Sequence, residues 1–271
     1  MSSPPPPFSL FILFSSKPSN NNNIIKIPPP PTISFPLYPR RYFKIPIMSF
    51  HTINNLKTKN LQFGSPQSLS EWLKPRLNSE CFASWGVKPG TKNVDNLWLE
   101  LSEGETILDD SIPPVRTVEV VVVKVVRSDF KVLIESHQEL SDGVVRARGR
   151  PLSEKMKPGE SVEGAVYRAV KEELGSVVGR FDEGGSDGVV KIVKDSYFRK
   201  VEERVSLSYP GLPACYVLHT VDVTVEGLPE GEFCTDEGDE YGEVGREGVA
   251  DRAVSCKKHY WKWVDPDTIG N

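Results

Sequence analysis

The first 70 residues contain no aspartate and no glutamate, yet they hold seven basic residues: Lys17, Lys26, Arg40, Arg41, Lys44, Lys57 and Lys59. Removing those seven charges from the formal net charge of −4 leaves residues 71–271 at −11. The two parts are compositionally different objects. The acid-free part is rich in Ser, Pro and Asn, with runs at residues 4–7, 20–23 and 28–31, and such a stretch cannot bury enough apolar surface to order itself. A basic, Ser-rich start without acids has the composition of an organelle transit peptide. The Asn and Pro tracts favour a chloroplast address, with the mitochondrion as the alternative. Two other readings stay open: a tail with no address, and a start at Met48, which gives a cytosolic form lacking most of the leader.

Long apolar runs are also missing. The run at residues 8–14 is far too short to span a bilayer, which needs about 20 apolar residues. As the core of a secretory signal it lacks a basic residue before it, so neither secretion nor a membrane partner is expected. Cysteine is scarce: Cys81, Cys215, Cys234 and Cys256 are too scattered for a zinc motif and too few for a disulfide scaffold. The acidic balance beyond the leader argues against non-specific nucleic-acid binding. What remains is a folded part of ordinary size, with boundaries expected at 1–65 (leader), 66–114 (N-terminal extension) and 115–271 (main domain).

One segment stands out, residues 157–175. Pro158-Gly159 is a turn dipeptide, Ser161 is a candidate N-cap, and Gly175 sits where a left-handed C-cap belongs. Val162, Ala165, Val166, Ala169, Val170 and Leu174 recur at helical spacing, so one face packs inward. At about 100° per residue Glu173 falls within that stripe, one turn beyond Ala169, while Glu172 lies roughly 80° to one side. A buried lone carboxylate costs several kcal/mol, so Glu173 requires a metal or an arginine as partner. Two adjacent carboxylates late in such a helix suggest a divalent metal, and a hard metal suggests phosphate chemistry. The plainer reading is a pair of exposed charges near a frayed helix end.

The segment resembles the Nudix box: Gly, five residues, Glu, seven residues, Arg-Glu, an apolar residue, any residue, Glu-Glu, any residue, Gly and an apolar residue. Glu160 matches the first glutamate, Arg168 the arginine, Val170 the apolar slot, Glu172 and Glu173 the late pair, and Gly175 the last glycine. Three positions depart: Glu154 stands at the first glycine, Ser176 at the closing apolar slot and Ala169 at the glutamate after the arginine. In the family that last glutamate is a metal ligand and in some members the general base, so the metal site is incomplete on the helix. The resemblance implies an α+β fold, a Nudix-like α/β/α sandwich with a mixed β-sheet, over roughly residues 116–265. It also implies Mg²⁺ or Mn²⁺ held by Glu160, Glu172 and Glu173, with Arg168 orienting a carboxylate. In related enzymes a loop after a late strand supplies a further ligand or base. Glu232, Asp236 or Glu237, in the acidic stretch 226–251, would fill that place; the alternative is a solvated acidic loop.

Elsewhere the chain reads as follows. Ser68-Leu-Ser-Glu71 is a capping box, predicting a helix to about Leu77. Residues 96–101 and 105–108 flank Ser102-Glu-Gly and read as a small hairpin. Val-rich residues 116–127 predict a central strand, paired with 130–135. Asp142-Gly143 is a turn before a strand at 144–150, further strands are expected at 189–197 and 214–225, and 258–264 reads as a last strand or as the lead-in to a C-terminal helix. Arg146, Arg148 and Arg150 alternate, so all three share one face leading into the 157–175 loop, where guanidinium forks suit a diphosphate; a solvated strand face is the alternative. Lys155 and Lys157 add charge to that loop. His137, His219 and His259 have no ligand spacing and read as structural histidines. Tyr260, Trp261 and Trp263 serve either as core or as a base-stacking surface.

Two functions follow from the resemblance. One is a Nudix-type, metal-dependent hydrolase of a nucleoside diphosphate linked to another moiety, with Glu173, Arg168 and Glu237 as catalytic residues and Arg146, Arg148 and Arg150 binding substrate. The other is a Nudix-fold nucleotide-binding or regulatory protein with impaired catalysis. Neither the small-molecule partner's identity nor the oligomeric state is specified by these residues.

Overall fold

The computed structural model describes residues 61–178, 188–236 and 248–269. By internal contacts the chain divides into Met1–Asn55 and Leu56–Asn271, and all described residues belong to the second unit. The leader up to residue 60, with residues 8–14 and Met48, lies outside the described residues, as does Glu237 with the stretch 237–247.

The described part is α+β: three short helices, α1 (Pro66–Leu73), α2 (Ser79–Ala83) and α3 (Val94–Ser102), one longer helix α4 (Val162–Val178), and ten strands. These strands are β1 (Ile107–Leu108), β2 (Arg116–Val125), β3 (Val132–Leu140), β4 (Val145–Arg150), β5 (Leu152–Lys155), β6 (Val190–Ile192), β7 (Phe198–Val205), β8 (Pro213–Val225), β9 (Phe233–Asp236) and β10 (Cys256–Val264). They form a mixed sheet ordered β1-β2-β8-β6, with β5 also on β2 and β7 also on β8, and a second, antiparallel sheet ordered β4-β3-β10-β9. Only β2 and β8 run parallel, in register from Arg116↔Ala214 to Val125↔Val223.

β2 is central because its valines serve both faces. Val121, Val123 and Val125 point to one side and bury against Ala165, Val166, Ala169, Val170 and Leu174 of α4, with Leu133, Val221, Val223 and Trp261 closing the core. Burying each such side chain contributes roughly 1.5–3 kcal/mol. Arg116, of opposite parity, lies on the other face, where its Nη2 meets Oε2 of buried Glu100 on α3 at 2.6 Å. A second cluster joins Leu69, Leu73, Trp85, Leu97 and Leu108 to Tyr209 and Leu212. The three short helices therefore sit on the face of β2 away from α4.

Several expected elements differ. Residues 96–101 are helix, not hairpin: Asn93 caps α3 reciprocally with Asn96, and Leu97, Leu99 and Glu100 turn inward at helical spacing. The first helix starts at Pro66 rather than after Ser68, because Ser65 is the cap and Ser68 its partner at the third position. Residues 130–135 pair with the end of the β2 segment only at the bridge Val126↔Val132; the chain then crosses to the second sheet, where β3 pairs with β4 and β10. Among the described residues no helix is long and apolar enough to cross a membrane.

Candidate functional site

The site is built on α4. The Ser161 hydroxyl accepts a hydrogen bond from Gly164 N–H at 3.0 Å, closing the helix start as a capping serine does. The apolar stripe is fully buried and Glu173 shares its face, with 8 % of the residue exposed. Gly175 does not stop the helix. The chain continues to Val178, which packs on the core and so rewards another turn. Ala169, at 0 % exposure, places a methyl group among the core valines one turn before Glu173.

Arg168 is the hub of the helix's carboxylates. Its Nε and Nη2 fork onto Glu160 at 2.8 and 2.9 Å, and its Nη1 reaches Glu172 at 2.8 Å and Glu154 at 3.6 Å. Nη2 also donates to the Lys155 carbonyl at 2.6 Å, tying α4 to β5. Burial opposes the charged guanidinium, but the Glu160 hydrogen bonds and the charges of Glu154 and Glu172 outweigh it and raise its pKa. Arg168 in turn holds the Glu160 carboxyl below the usual carboxylate range, helped by Lys157 N–H at 3.0 Å.

Glu154 belongs to the same group. On β5 it stands opposite Val121, so it shares the α4 face of the mixed sheet. Lys155 opposes Val120 and turns to the other face, where it meets Glu105 and, at 3.6 Å, Glu100. Its ammonium is engaged by those two carboxylates. Burial pushes the Glu154 carboxyl up to about 8; Lys155 and Arg168 oppose the shift, and the negative charges of Glu173 and Glu105 add to it.

Glu173 has a histidine as a partner. Its Oε2 lies 2.9 Å from Nδ1 of His259 on β10, and the same Nδ1 hydrogen-bonds Oε1 of Glu135 on β3 at 2.6 Å. With carboxylate acceptors on this side, Nδ1 carries the imidazole proton. Arg148 Nε donates to the other Glu135 oxygen at 2.9 Å. Burial would raise the Glu135 carboxyl, and the His259 hydrogen bond with Arg148 more than reverses it, leaving the pKa lowered. A polar line Arg148–Glu135–His259–Glu173 thus crosses from the second sheet to α4 inside an otherwise apolar core.

The arginine row on β4 shares one half-buried face, alternating with exposed neighbours. Its members are not equivalent. Arg146 grips Gln138 with Nε at 3.1 Å and with Nη2, and Arg148 holds Glu135. The Arg150 Nε is buried with no hydrogen-bond partner among the described residues. Of the three, Arg150 is the one whose guanidinium is not committed to an internal carboxylate or amide.

The acidic stretch after β8 does not refill the place of Ala169 through its described members. Asp236 on β9 is 77 % exposed and pairs with Lys258 at 3.6 Å; Thr235 takes the inward position beside it. Glu232 is exposed as well. Glu154 on β5 lies on the α4 face of the sheet, near enough for the charge of Glu173 to act on it. Among the described residues no group of three or more His, Cys, Asp or Glu is arranged to hold a metal as it stands. The negative charge of Glu173 helps hold the proton on the buried Glu154 carboxyl, so a cation held by both would have to release that proton. Glu172 is 50 % exposed at its side chain and is held by Arg168.

Trp261 is core, its Nε1 donating to Thr235 at 2.9 Å, and Trp263 donates to the Pro229 carbonyl under Arg127. Tyr260 stacks on His137 with ring centroids 4.2 Å apart. These aromatics lock β10 in place. The sequence marks His259 only as a structural histidine and gives no sign of Glu135; the alternation His259–Trp261 on a strand is the available clue to an inward position. No protein-family model matches the chain, and a search of curated proteins finds no match.

Proposed function

We propose that this protein is a Nudix-type hydrolase that cleaves the diphosphate bond of a nucleoside diphosphate linked to another moiety. The observation that carries the reading is the buried Glu173 on α4, with Glu154 on the face of β5 that turns toward α4. A carboxylate from β5 stands in for the one missing from the helix. Mg²⁺ or Mn²⁺, held by Glu173, Glu154 and Glu172, would supply Lewis-acid polarisation of a phosphate oxygen. Arg150 provides a guanidinium fork for the diphosphate, and Arg168 holds Glu160 at the helix start. Glu173 accepts the proton of an attacking water, and His259 holds its carboxylate in position. The chloroplast address of the leader remains part of the same proposal.

A second reading is favoured by one observation: Glu160 and Glu172 are both already satisfied by Arg168. In that case the protein binds a nucleotide ligand in the same cleft without turnover. The full chain, incubated with a panel of diphosphate-linked nucleosides and Mg²⁺ or Mn²⁺ beside a Glu173→Gln control, separates the two. Metal-dependent turnover lost in the control supports the hydrolase. Ligand binding without turnover supports the binding protein, and neither binding nor turnover removes both.

A further inference from the structure

The free edge of the mixed sheet carries information unrelated to the carboxylate site. β7 pairs with β8 on one side and with no other strand among the described residues. Its sequence is Phe-Arg-Lys-Val-Glu-Glu-Arg-Val, and six of its eight residues are exposed. Val193, Tyr197, Phe198, Val205 and Leu207, on β7 and the segments at its two ends, make up five of the ten exposed large hydrophobic residues among the described residues. A long exposed edge strand is a template for another strand.

Its backbone sets which partner registers are possible. Ser206 N–H donates to the Leu212 carbonyl at 2.9 Å, and β7 and β8 run antiparallel without a register shift. Hydrogen-bonded pairs recur every second residue, so Arg204, Glu202, Lys200 and Phe198 aim their backbone groups at β8. Val205 accordingly stands opposite Pro213, which has no N–H to give. Arg199, Val201, Glu203 and Val205 direct theirs outward. An antiparallel copy of β7 can then join only by matching odd residues with odd and even with even.

Of the registers that obey this rule near the strand centre, one is charge-complementary. With Val201 facing Val201 on a twofold axis, Arg199 meets Glu203 of the other copy and Lys200 meets Glu202. Phe198 meets Arg204, a cation–π pairing. Centring on Lys200 sets two lysines face to face, and centring on Glu202 sets two glutamates face to face and Lys200 against Arg204. We propose that β7 is a dimerisation strand: two copies of this chain join edge to edge through β7, antiparallel and centred on Val201, making one continuous sheet. The charges that would otherwise blunt the edge become its register code.

The test uses the full chain in sedimentation-velocity experiments over a micromolar concentration series, with Arg199→Glu, Glu203→Arg and the double exchange. The wild type should dimerise. Each single exchange sets like charges opposite one another twice per interface and should weaken dimerisation about tenfold, and the double exchange should restore it to near the wild-type level. Val201→Pro removes an outward N–H while sparing the bonds to β8, and should leave a folded monomer by circular dichroism. A monomeric wild type, or a dimer indifferent to the single exchanges, or a double exchange that fails to restore dimerisation, overturns the proposal.

Discussion

Nδ1 of His259 lies 2.9 Å from Oε2 of Glu173, linking the last long strand to the one helix that carries the carboxylates. The contact is buried on both sides, and Glu135 shares the same nitrogen. Three ionisable side chains inside a valine-rich core are held there by each other, with Arg148 at the outer end.

Removing the imidazole should therefore be costly. His259→Ala takes the Nδ1 hydrogen bond from Glu135 and an ion-pair partner from Glu173, and should lower unfolding stability in urea by about 3–5 kcal/mol. Glu173→Gln should cost less, because an amide is easier to bury than a charge. The double variant should lose less than the sum of the two, with a coupling of about 1 kcal/mol or more. Additive losses would show that the contact carries no energy.

Glu154 should leave a signature in the pH dependence of stability. Its folded-state pKa is raised from 4.5 to about 8, so it gives up its proton more readily in the unfolded chain than in the folded one. Its stabilising contribution is fully present below the ordinary carboxylate value and is lost as pH rises toward 8. Glu154→Gln should thus become more stable relative to wild type across that window, by at most about 1.4 kcal/mol per pH unit. Parallel stability curves for the two proteins from pH 5 to pH 8 would refute the shift.

Restoring a carboxylate at Ala169 offers a check on the cation. The position is fully buried, so Ala169→Glu should destabilise the metal-free protein by several kcal/mol and lower its melting temperature. Mn²⁺ should recover part of that loss in the variant and do much less for the wild type. Equal responses of both melting temperatures to Mn²⁺ would place the ion elsewhere.

The arginine row should divide by role. Arg150→Met should weaken binding of a nucleoside diphosphate probe about tenfold or more, the worth of a charge-assisted hydrogen bond, with little effect on stability. Arg146→Met, which strips Gln138 of its donor, should act mainly on stability. Calorimetric titration beside thermal unfolding of each variant distinguishes the two.

The helix from Val162 was legible because its apolar spacing, capping serine and preceding turn all agree, and that spacing alone put Glu173 inside. The one-face arginine row followed from simple alternation. What escaped was non-local. Glu173 needed a partner, but nothing along the chain marks a histidine 86 positions later, set by β10 meeting β3. Glu154 reads as a departure from a motif until β5 lies beside Val121. α3 was misread because Leu97, Leu99 and Leu101 alternate as a strand would, while the capping pair Asn93–Asn96 that decides for helix is a weaker signal. β7 carries almost no apolar pattern at all, because an edge strand exposed on both faces has nothing to alternate.

The parallel pairing at the sheet centre has a consequence for synthesis. Arg116 lies opposite Ala214, 98 positions later in the chain. A ribosome adding 5–20 residues per second makes that interval in roughly 5–20 s, during which the valine run of β2 has emerged without its central neighbour. The nascent chain must keep an aggregation-prone segment solvated for that whole time, so chaperone capacity, more than intrinsic folding speed, should set its yield.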